Sequence, residues 1–560
     1  MAEMIEPGRR GAPTRQRRRW RFPLVAVVVA MALVAASCGD DDDDGASPGS
    51  TTGTSGTSGA GTSAAGPSSS AADAADDDVD PEGVLRWTLN LEGPTVGHFD
   101  PTKLLVQAQN WALFLVYDSL LRGEADGELE PALAEEARVI DPRTIEVDLR
   151  PGLVFSDGTP LDAEAVKFTI ERNKATQPGS NGFRAEIRNV ESVEVRDATH
   201  LVIHLDAPVA GAFYPLLGGI ETMPVSPAAA SADLDTRPVG AGAFTLTEFT
   251  AGNRAVFAKS PTYWDADGIR LAGVEVRHLP AGPAVLNALR TGEIDVATVP
   301  ITDAAALRAE LEVQVEKNPT SHMWLRWCVA AEPIDDVRVR QALSYGTDRE
   351  ALSEAIAGGD GEPQWALWPS DHDLFPAELE GRHAHDPARA RQLLAEAGHP
   401  DGFAIEMLIS PDPFQTRIAE IIQAQWAEIG VQLRITPTTN YVQELFTDRK
   451  APIGLAAVDR PGIEKLSAFY VPGLFSNLCN YESPEMTNLI QQLRAAAPGS
   501  DEARRLWAEG QEMVIEQGLS LYLFYLPVAL AHDDERVGDM EIFVNWQSAM
   551  PDVWKAYIKR

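Results

Sequence analysis

Polar and apolar residues alternate along Thr144-Ile145-Glu146-Val147-Asp148-Leu149, the pattern of a strand with one face buried and one face wet. Residues 192–195 and 201–205 read the same way. These runs lie close together with turn residues between them, which predicts an antiparallel sheet in a small α+β domain.

Elsewhere the order is strand, helix, strand. Residues 274–279 are strand-like, 283–290 helix-like with Gly292 just beyond, and 294–297 strand-like. The order recurs where 404–409 precedes a helix carrying Ile418, Ile421, Ile422 and Ile429 on one face; Gly430 ends it, and Val431, Leu433 and Ile435 alternate in the next strand. Both are βαβ signals. Between them, Thr347 and Glu350 have capping-box spacing, with Ala351, Leu352, Ala355 and Ile356 as the apolar stripe and Gly358-Gly359 as the stop. Asp386-Pro387 opens a further helix that Gly398 closes. The pattern predicts two α/β lobes and a smaller insertion.

The chain has 560 residues, beyond the roughly 250–300 at which a single core stops growing. A formal net charge of -36 argues against nucleic-acid binding, which needs clustered Lys and Arg; it reads as a solvated acidic surface. The N-terminus changes the picture more. Arg9, Arg10, Arg15, Arg17, Arg18, Arg19 and Arg21 precede an apolar stretch over 22–36, short of the about 20 residues a membrane span needs. Small residues then lead into Cys38, the layout of an export signal. Leu33-Val34-Ala35-Ala36-Ser37-Cys38 resembles a bacterial lipobox, with Ala35 where Leu or Val is commoner. It implies a signal peptide over 1–37 and lipid attached to Cys38, with the body outside the cytoplasmic membrane, at the cell surface or in a periplasm. Asp40 to Asp44 and the Gly, Ser, Thr, Ala and Pro residues that follow predict a tether over 38–83. Beyond it no stretch has the length and apolarity of a spanning helix. Cys328 and Cys479 complete the cysteines; in an oxidising compartment they are either a disulfide pair or two buried thiols.

Six segments in order carry a family resemblance. Leu149-Arg150-Pro151-Gly152-Leu153-Val154-Phe155-Ser156-Asp157-Gly158-Thr159-Pro160-Leu161 comes first, and Val239-Gly240-Ala241-Gly242-Ala243-Phe244 with 253–264 second. Leu289-Arg290-Thr291-Gly292-Glu293-Ile294-Asp295-Val296 follows, then 335–345 with Asp348-Arg349-Glu350, then 423–431, then Asn480-Tyr481-Glu482-Ser483-Pro484-Glu485. Together they resemble the family 5 extracellular solute-binding proteins, the peptide, opine and nickel class that serves ABC importers. The resemblance implies an α/β, two-lobed, clam-like periplasmic-binding-protein fold (type II, cluster C-like) with an inserted α+β subdomain. Lobe I would comprise 84–128, 239–320 and 522–560, the insertion 129–238, and lobe II 321–521. It further implies hinge closure on a small-molecule or peptide ligand, partnership with a permease and an ATPase, and a monomer without cofactor.

Site candidates follow from the same resemblance. Peptide-binding relatives take the ligand's ammonium group on an Asp in a segment resembling "ADYxDP"; here Ala456-Ala457-Val458-Asp459-Arg460-Pro461 lacks the Tyr and the second Asp-Pro. Asp459 is the candidate, and Arg460 would meet an anionic ligand instead. Trp324, Trp327, Trp365, Trp368, Tyr470 and Asn480 are cleft candidates on lobe II, where aromatic rings offer apolar area with a hydrogen-bonding edge; Asn110 and Trp111 are those on lobe I. The ten histidines form no established metal-site spacing. A secreted hydrolase is the alternative from another class, but within 84–560 no Gly-x-Ser-x-Gly elbow or His-Glu-x-x-His helix is present, so no catalytic residue is assigned. A binding protein turned sensor or partner-binding lipoprotein is the third reading.

Overall fold

A computed structural model describes residues 78–560 apart from 90–98, 104–110, 124–128, 176–185, 231–232, 281, 317–321, 459–461, 475 and 545–548. Its core is two sheets with helices packed on them. In the seven-stranded sheet, Val84–Leu89 lies between Gly273–His278 and Val296–Val299, parallel to both. The two strands of the predicted βαβ unit, joined through helix Pro283–Arg290, therefore flank the first strand and do not touch. Antiparallel strands extend the sheet: Arg254–Lys259 and Phe244–Thr250 on one side, Val528–His532 and Glu312–Glu316 on the other.

The six-stranded sheet is built on His322–Trp327, antiparallel to both Ile453–Val458 and Ser520–Tyr525. Ala404–Ile409 and Gln432–Pro437 pair in parallel across helix Pro413–Glu428, as the alternation predicts. Ser520–Tyr525 belongs to this second sheet, so the chain returns to the first at Val528 and not at 522. Only Leu526 and Pro527 separate the two strands. The fold thus passes between sheets through a two-residue link here and between Glu316 and His322 in the other direction.

The expected antiparallel sheet forms from Ala134–Asp141, Thr144–Leu149, His200–Leu205 and Val190–Val195, covered by helix Ala163–Ala175. Asp162 caps that helix, accepting from Ala165 N at 3.0 Å. The Ser-Asp-Gly turn before it is closed by Asp157, which accepts from Thr159 N at 2.9 Å, with Gly158 at φ 80°. Where the chain comes back to the first sheet, Gly242 N donates to Val116 O at 2.8 Å, and a Cβ on Gly242 would lie 2.5 Å from the Val116 carbonyl carbon. Only glycine permits that approach.

Two helix readings change in detail. The N-cap of helix Arg349–Ala357 is Asp348, which accepts from Ala351 N; Thr347 instead donates to Leu343 O and accepts from the indole of the fully buried Trp426. The inward face is Leu352, Ser353, Ile356 and Ala357, while Ala351 and Ala355 are exposed. Asp386 caps helix Pro387–Glu396, and Gly398 and Gly430 end their helices at φ 92° and 86°. Among the described residues no helix is long and apolar enough to cross a membrane.

Candidate functional site

Strand His322–Trp327 is buried along its whole length, with neighbours on both edges and packing on both faces. Its even residues face one way and its odd residues the other. Met323, Leu325 and Trp327 join the helices of the second sheet, and Trp327 Nε1 donates to Gly518 O at 2.7 Å. His322, Trp324 and Arg326 share the other face. Trp324 stacks on Tyr522 with centroids 5.5 Å apart and meets Phe469 edge-on at 4.8 Å.

A cavity of ≈310 Å³, counted with its open mouth, lies at the end of this strand. Trp324, Arg326, Phe469, Tyr470, Asn477 and Ser520 are among its walls, and Trp327 contributes to its edge. Tyr470 and Ser520 share a hydroxyl–hydroxyl hydrogen bond of 2.8 Å, and burial pushes the Tyr470 phenol up to about 12. The phenol is therefore a neutral donor or acceptor at any physiological pH.

Among the described residues lining the cavity, Arg326 is the one cation. It is 5% exposed, and its guanidinium lies 4.2 Å from the Phe469 ring centre and 4.9 Å from those of Trp324 and Phe446. One Nη2 donates to Ser476 O at 2.9 Å. Aromatic faces carry negative quadrupole charge, so the cage partly replaces lost hydration. A second buried cation, Lys465, sits one turn before Phe469 on helix Glu464–Tyr470, with Nζ 4.8 Å above Trp368. His322 is fully enclosed beside them; burial first, then the charges of Lys465 and Arg326, hold its imidazole far below the usual range, so it is neutral.

The wall formed by 471–481 is tied down at three points. Asn477 accepts from Tyr481 N at 2.7 Å and donates to the carbonyls of Val471 and Tyr481; Asn480 accepts from Gly473 N at 2.7 Å. Cys479, at φ 58°, is disulfide-bonded to Cys328, with Cα atoms 5.2 Å apart. Of the two alternatives for these cysteines the structure contains the pair. Closing 151 residues of chain is worth roughly 5 kcal/mol in the chain-entropy account.

Trp324, Trp327 and Tyr470 are thus brought together at one cavity. Trp368 joins the same apolar cluster, stacked on His372 at 4.2 Å and edge-on to Trp507. The other candidates are placed differently. Trp365 is half-buried under the Arg349 guanidinium, which donates to Tyr522 O at 2.8 Å and Ser344 Oγ at 2.8 Å, so it packs against a structural arginine. Asn480 is an exposed loop brace. Trp111 is buried in the core of the first sheet, edge-on to Trp87 at 4.9 Å. Cys38, Asn110, Asp459 and Arg460 lie outside the described residues. Sequence reasoning missed Arg326, Lys465, Phe469 and Ser520. For Arg326 a signal was available: it is a charged residue inside the aromatic run Trp324-Leu325-Arg326-Trp327. Among the described residues no group of three or more His, Cys, Asp or Glu is placed to hold a metal ion.

Known proteins give this arrangement a lineage. Residues 128–461 match the family model described as "Bacterial extracellular solute-binding proteins, family 5 Middle", more than half of the chain. The glutathione-binding protein GsiB of Salmonella paratyphi A is 30% identical over 328 residues, 57% of this chain and 63% of the relative's own length. Its Escherichia coli O157:H7 counterpart is 28% identical over the same length. The substrate-binding protein CtaP of Listeria monocytogenes superposes with a TM-score of 0.75 at 22% identity, covering 85% of this chain and 99% of that one. The periplasmic binding protein DppA of Helicobacter pylori, solved with the peptide STSA, gives 0.69 at 21%, over 86% and 99%. The solved structures share the two-lobed α/β fold, and the family model places the chain among the bacterial extracellular solute-binding proteins, family 5.

Proposed function

We propose that this protein is the lipid-anchored, extracytoplasmic solute-binding subunit of an ABC importer, a binding protein and not an enzyme. It captures a small organic solute, an oligopeptide in the first instance, between its lobes and delivers it to a permease and ATPase. The observation that carries this reading is the cavity on lobe II, where Trp324, Tyr470 and caged Arg326 converge behind a disulfide-tied wall. Aromatic area with a few fixed polar groups suits an organic ligand, and a wall ordered in advance reduces the entropy lost on binding. Two short connections between the sheets suit a hinge, and a solute touching both lobes favours the closed form by its differential affinity. Relatives that bind glutathione and peptides support the ligand class. Cys38 would carry the lipid, and the chain over 38–83 would give the body reach from the membrane.

A thermal-shift screen of the full chain against tripeptides, opine-type acids, sugars and metal chelates tests it. A ligand at 100 times its Kd stabilises by about 2.7 kcal/mol, a readily visible rise in midpoint. A rise with tripeptides is expected. A rise with another class alone removes the peptide assignment and keeps solute capture, and no rise with any class rejects solute capture.

A further inference from the structure

Cys479 and Asn480 are consecutive residues in the left-handed region, at φ 58° and 54°. Asn enters that region with local hydrogen bonding to help it, here the acceptance from Gly473 N, whereas a cysteine side chain brings no such help. The bond to Cys328 is the covalent restraint on the disfavoured residue. Its two ends differ. Cys328 is 7% exposed and held in place, its N donating to Pro452 O at 2.8 Å and its O accepting from Ala331 N at 2.9 Å. Cys479 is half-buried on the loop. Both are bracketed by cavity wall: Trp327 and Val329 flank Cys328, and Leu478 and Tyr481 lie on either side of Cys479. Asn477 and Asn480 brace the segment 471–481 within itself, so it is built to shift as one piece. Among its other ties are the Ser476 carbonyl on Arg326 and the Tyr481 hydroxyl on Gln517 Oε1 at 3.0 Å, hydrogen bonds of modest net strength.

We propose that Cys479 is a thiol-exchange site, at which a small-molecule thiol opens the disulfide and releases this wall of the cavity. The incoming thiolate sulfur bonds to Cys479 Sγ while the Sγ–Sγ bond breaks. Its electron pair leaves on Cys328 Sγ, which takes a proton from water, and a mixed disulfide stays on Cys479. A second thiolate then attacks the sulfur of the adduct, returning Cys479 as a thiol and carrying away the disulfide of the small thiol. Two small thiols are oxidised, and the protein disulfide is reduced to two thiols. Exchange goes to the sulfur that can be reached, which selects Cys479 over Cys328. Once the bond is gone, nothing covalent holds Cys479 at positive φ, and its relaxation carries Leu478 and the braced loop away from strand His322–Trp327. The cavity is thus complete in an oxidising compartment and loosened where thiols accumulate. This goes beyond solute capture and holds whichever solute the cavity takes.

The test treats the full chain with 2-mercaptoethanol, a thiol that is not a candidate solute, then quenches with acid, blocks free thiols with N-ethylmaleimide and maps the peptides. The adduct is expected on the Cys479 peptide and the maleimide on the Cys328 peptide, at least about 10-fold over the reverse. Hydrogen exchange of the fully reduced protein should quicken about 10-fold or more over 473–481 and stay unchanged in strand Ala404–Ile409. The double variant Cys328→Ser with Cys479→Ser should show the same local change without thiol. An adduct chiefly on Cys328, or none at thiol concentrations that leave the melting temperature unaltered, overturns the exchange site. Exchange over 473–481 that does not change on reduction, or that rises equally in Ala404–Ile409, overturns release of the wall; in each case solute capture stands.

Discussion

His383 sits in the left-handed region at φ 54° and is 7% exposed, with its carbonyl accepting from Arg349 Nη1 at 3.3 Å. Burial holds its imidazole down to about 4; Arg349 and Arg382 add to that, and Glu516 opposes it. His322 is shifted in the same direction. For a base with a depressed folded pKa, the unfolded chain binds the extra proton between the two values. For His383, stability is therefore complete above pH 6.5 and declines as the pH falls toward about 4, by about 1.4 kcal/mol per pH unit, and His322 adds a decline in the same direction. Urea midpoints at pH 7 and pH 5 should show the decline, and His383→Asn, which tolerates a positive φ, should remove one histidine's share of the slope. An unchanged slope in the variant would mean that His383 is protonated in the folded protein. Arg349, enclosed without a carboxylate among its hydrogen-bond partners, shows the same economy: its donors go to backbone carbonyls and to Ser344, and burial lowers its pKa to about 10.

At the scale of elements, the glycines of the returning segment fix where the insertion ends. Gly240 and Gly242 press on the backbone of Val116 and Tyr117, so Gly242→Ala should force the two segments apart and cost about 2 kcal/mol or more, in the range of overpacked cores. Urea denaturation of the variant checks this; a loss within 0.5 kcal/mol, the usual scatter of surface substitutions, would show that the segments can shift freely. The sequence made these elements legible to very different degrees. Thr144–Leu149 alternates buried and half-buried residues along its length, because one face meets a core and the other meets water. Ser520–Tyr525 is buried on both faces and so has no period of two, which is why the boundary at 522 fell inside a strand. Caps at Asp386 and stops at Gly398 and Gly430 were readable because they are local. The Arg326 cage was not: its rings come from Trp324, Phe446 and Phe469, and its carbonyl from Ser476, positions that only the tertiary fold assembles. Thr347 misled for the opposite reason. Its hydroxyl has capping chemistry, but Asp348 takes the cap and Thr347 holds Trp426.

At the scale of the molecule, the four-stranded sheet does not stand free of the helices near the C-terminal end of the chain. Helix Ala210–Phe213 packs on helix Pro484–Ala495, with Gly211 against the Ala496 carbonyl, and Phe213 shares an apolar cluster with Leu489 and Leu493. One ion pair closes this contact: Arg494 donates to Glu186 at 2.6 Å, and Glu186 is 6% exposed. Burial raises the Glu186 pKa, and Arg494 is the largest effect opposing it. Arg494→Ala should therefore cost about 3 kcal/mol at pH 7, because it leaves a buried carboxylate without its partner. The pH dependence identifies the cause. An acid with a raised folded pKa binds its proton more tightly in the folded state, so stability recovers as the pH falls through that value toward 4.5. Chemical denaturation should find Arg494→Ala closest to the parent near pH 5 and furthest from it at pH 7. Adding Glu186→Gln should recover most of the loss at pH 7, since the amide needs no counter-charge. A loss that is the same at both pH values, or one that Glu186→Gln fails to relieve, would assign the cost to the packing of the Arg494 side chain and take the electrostatic role from the pair.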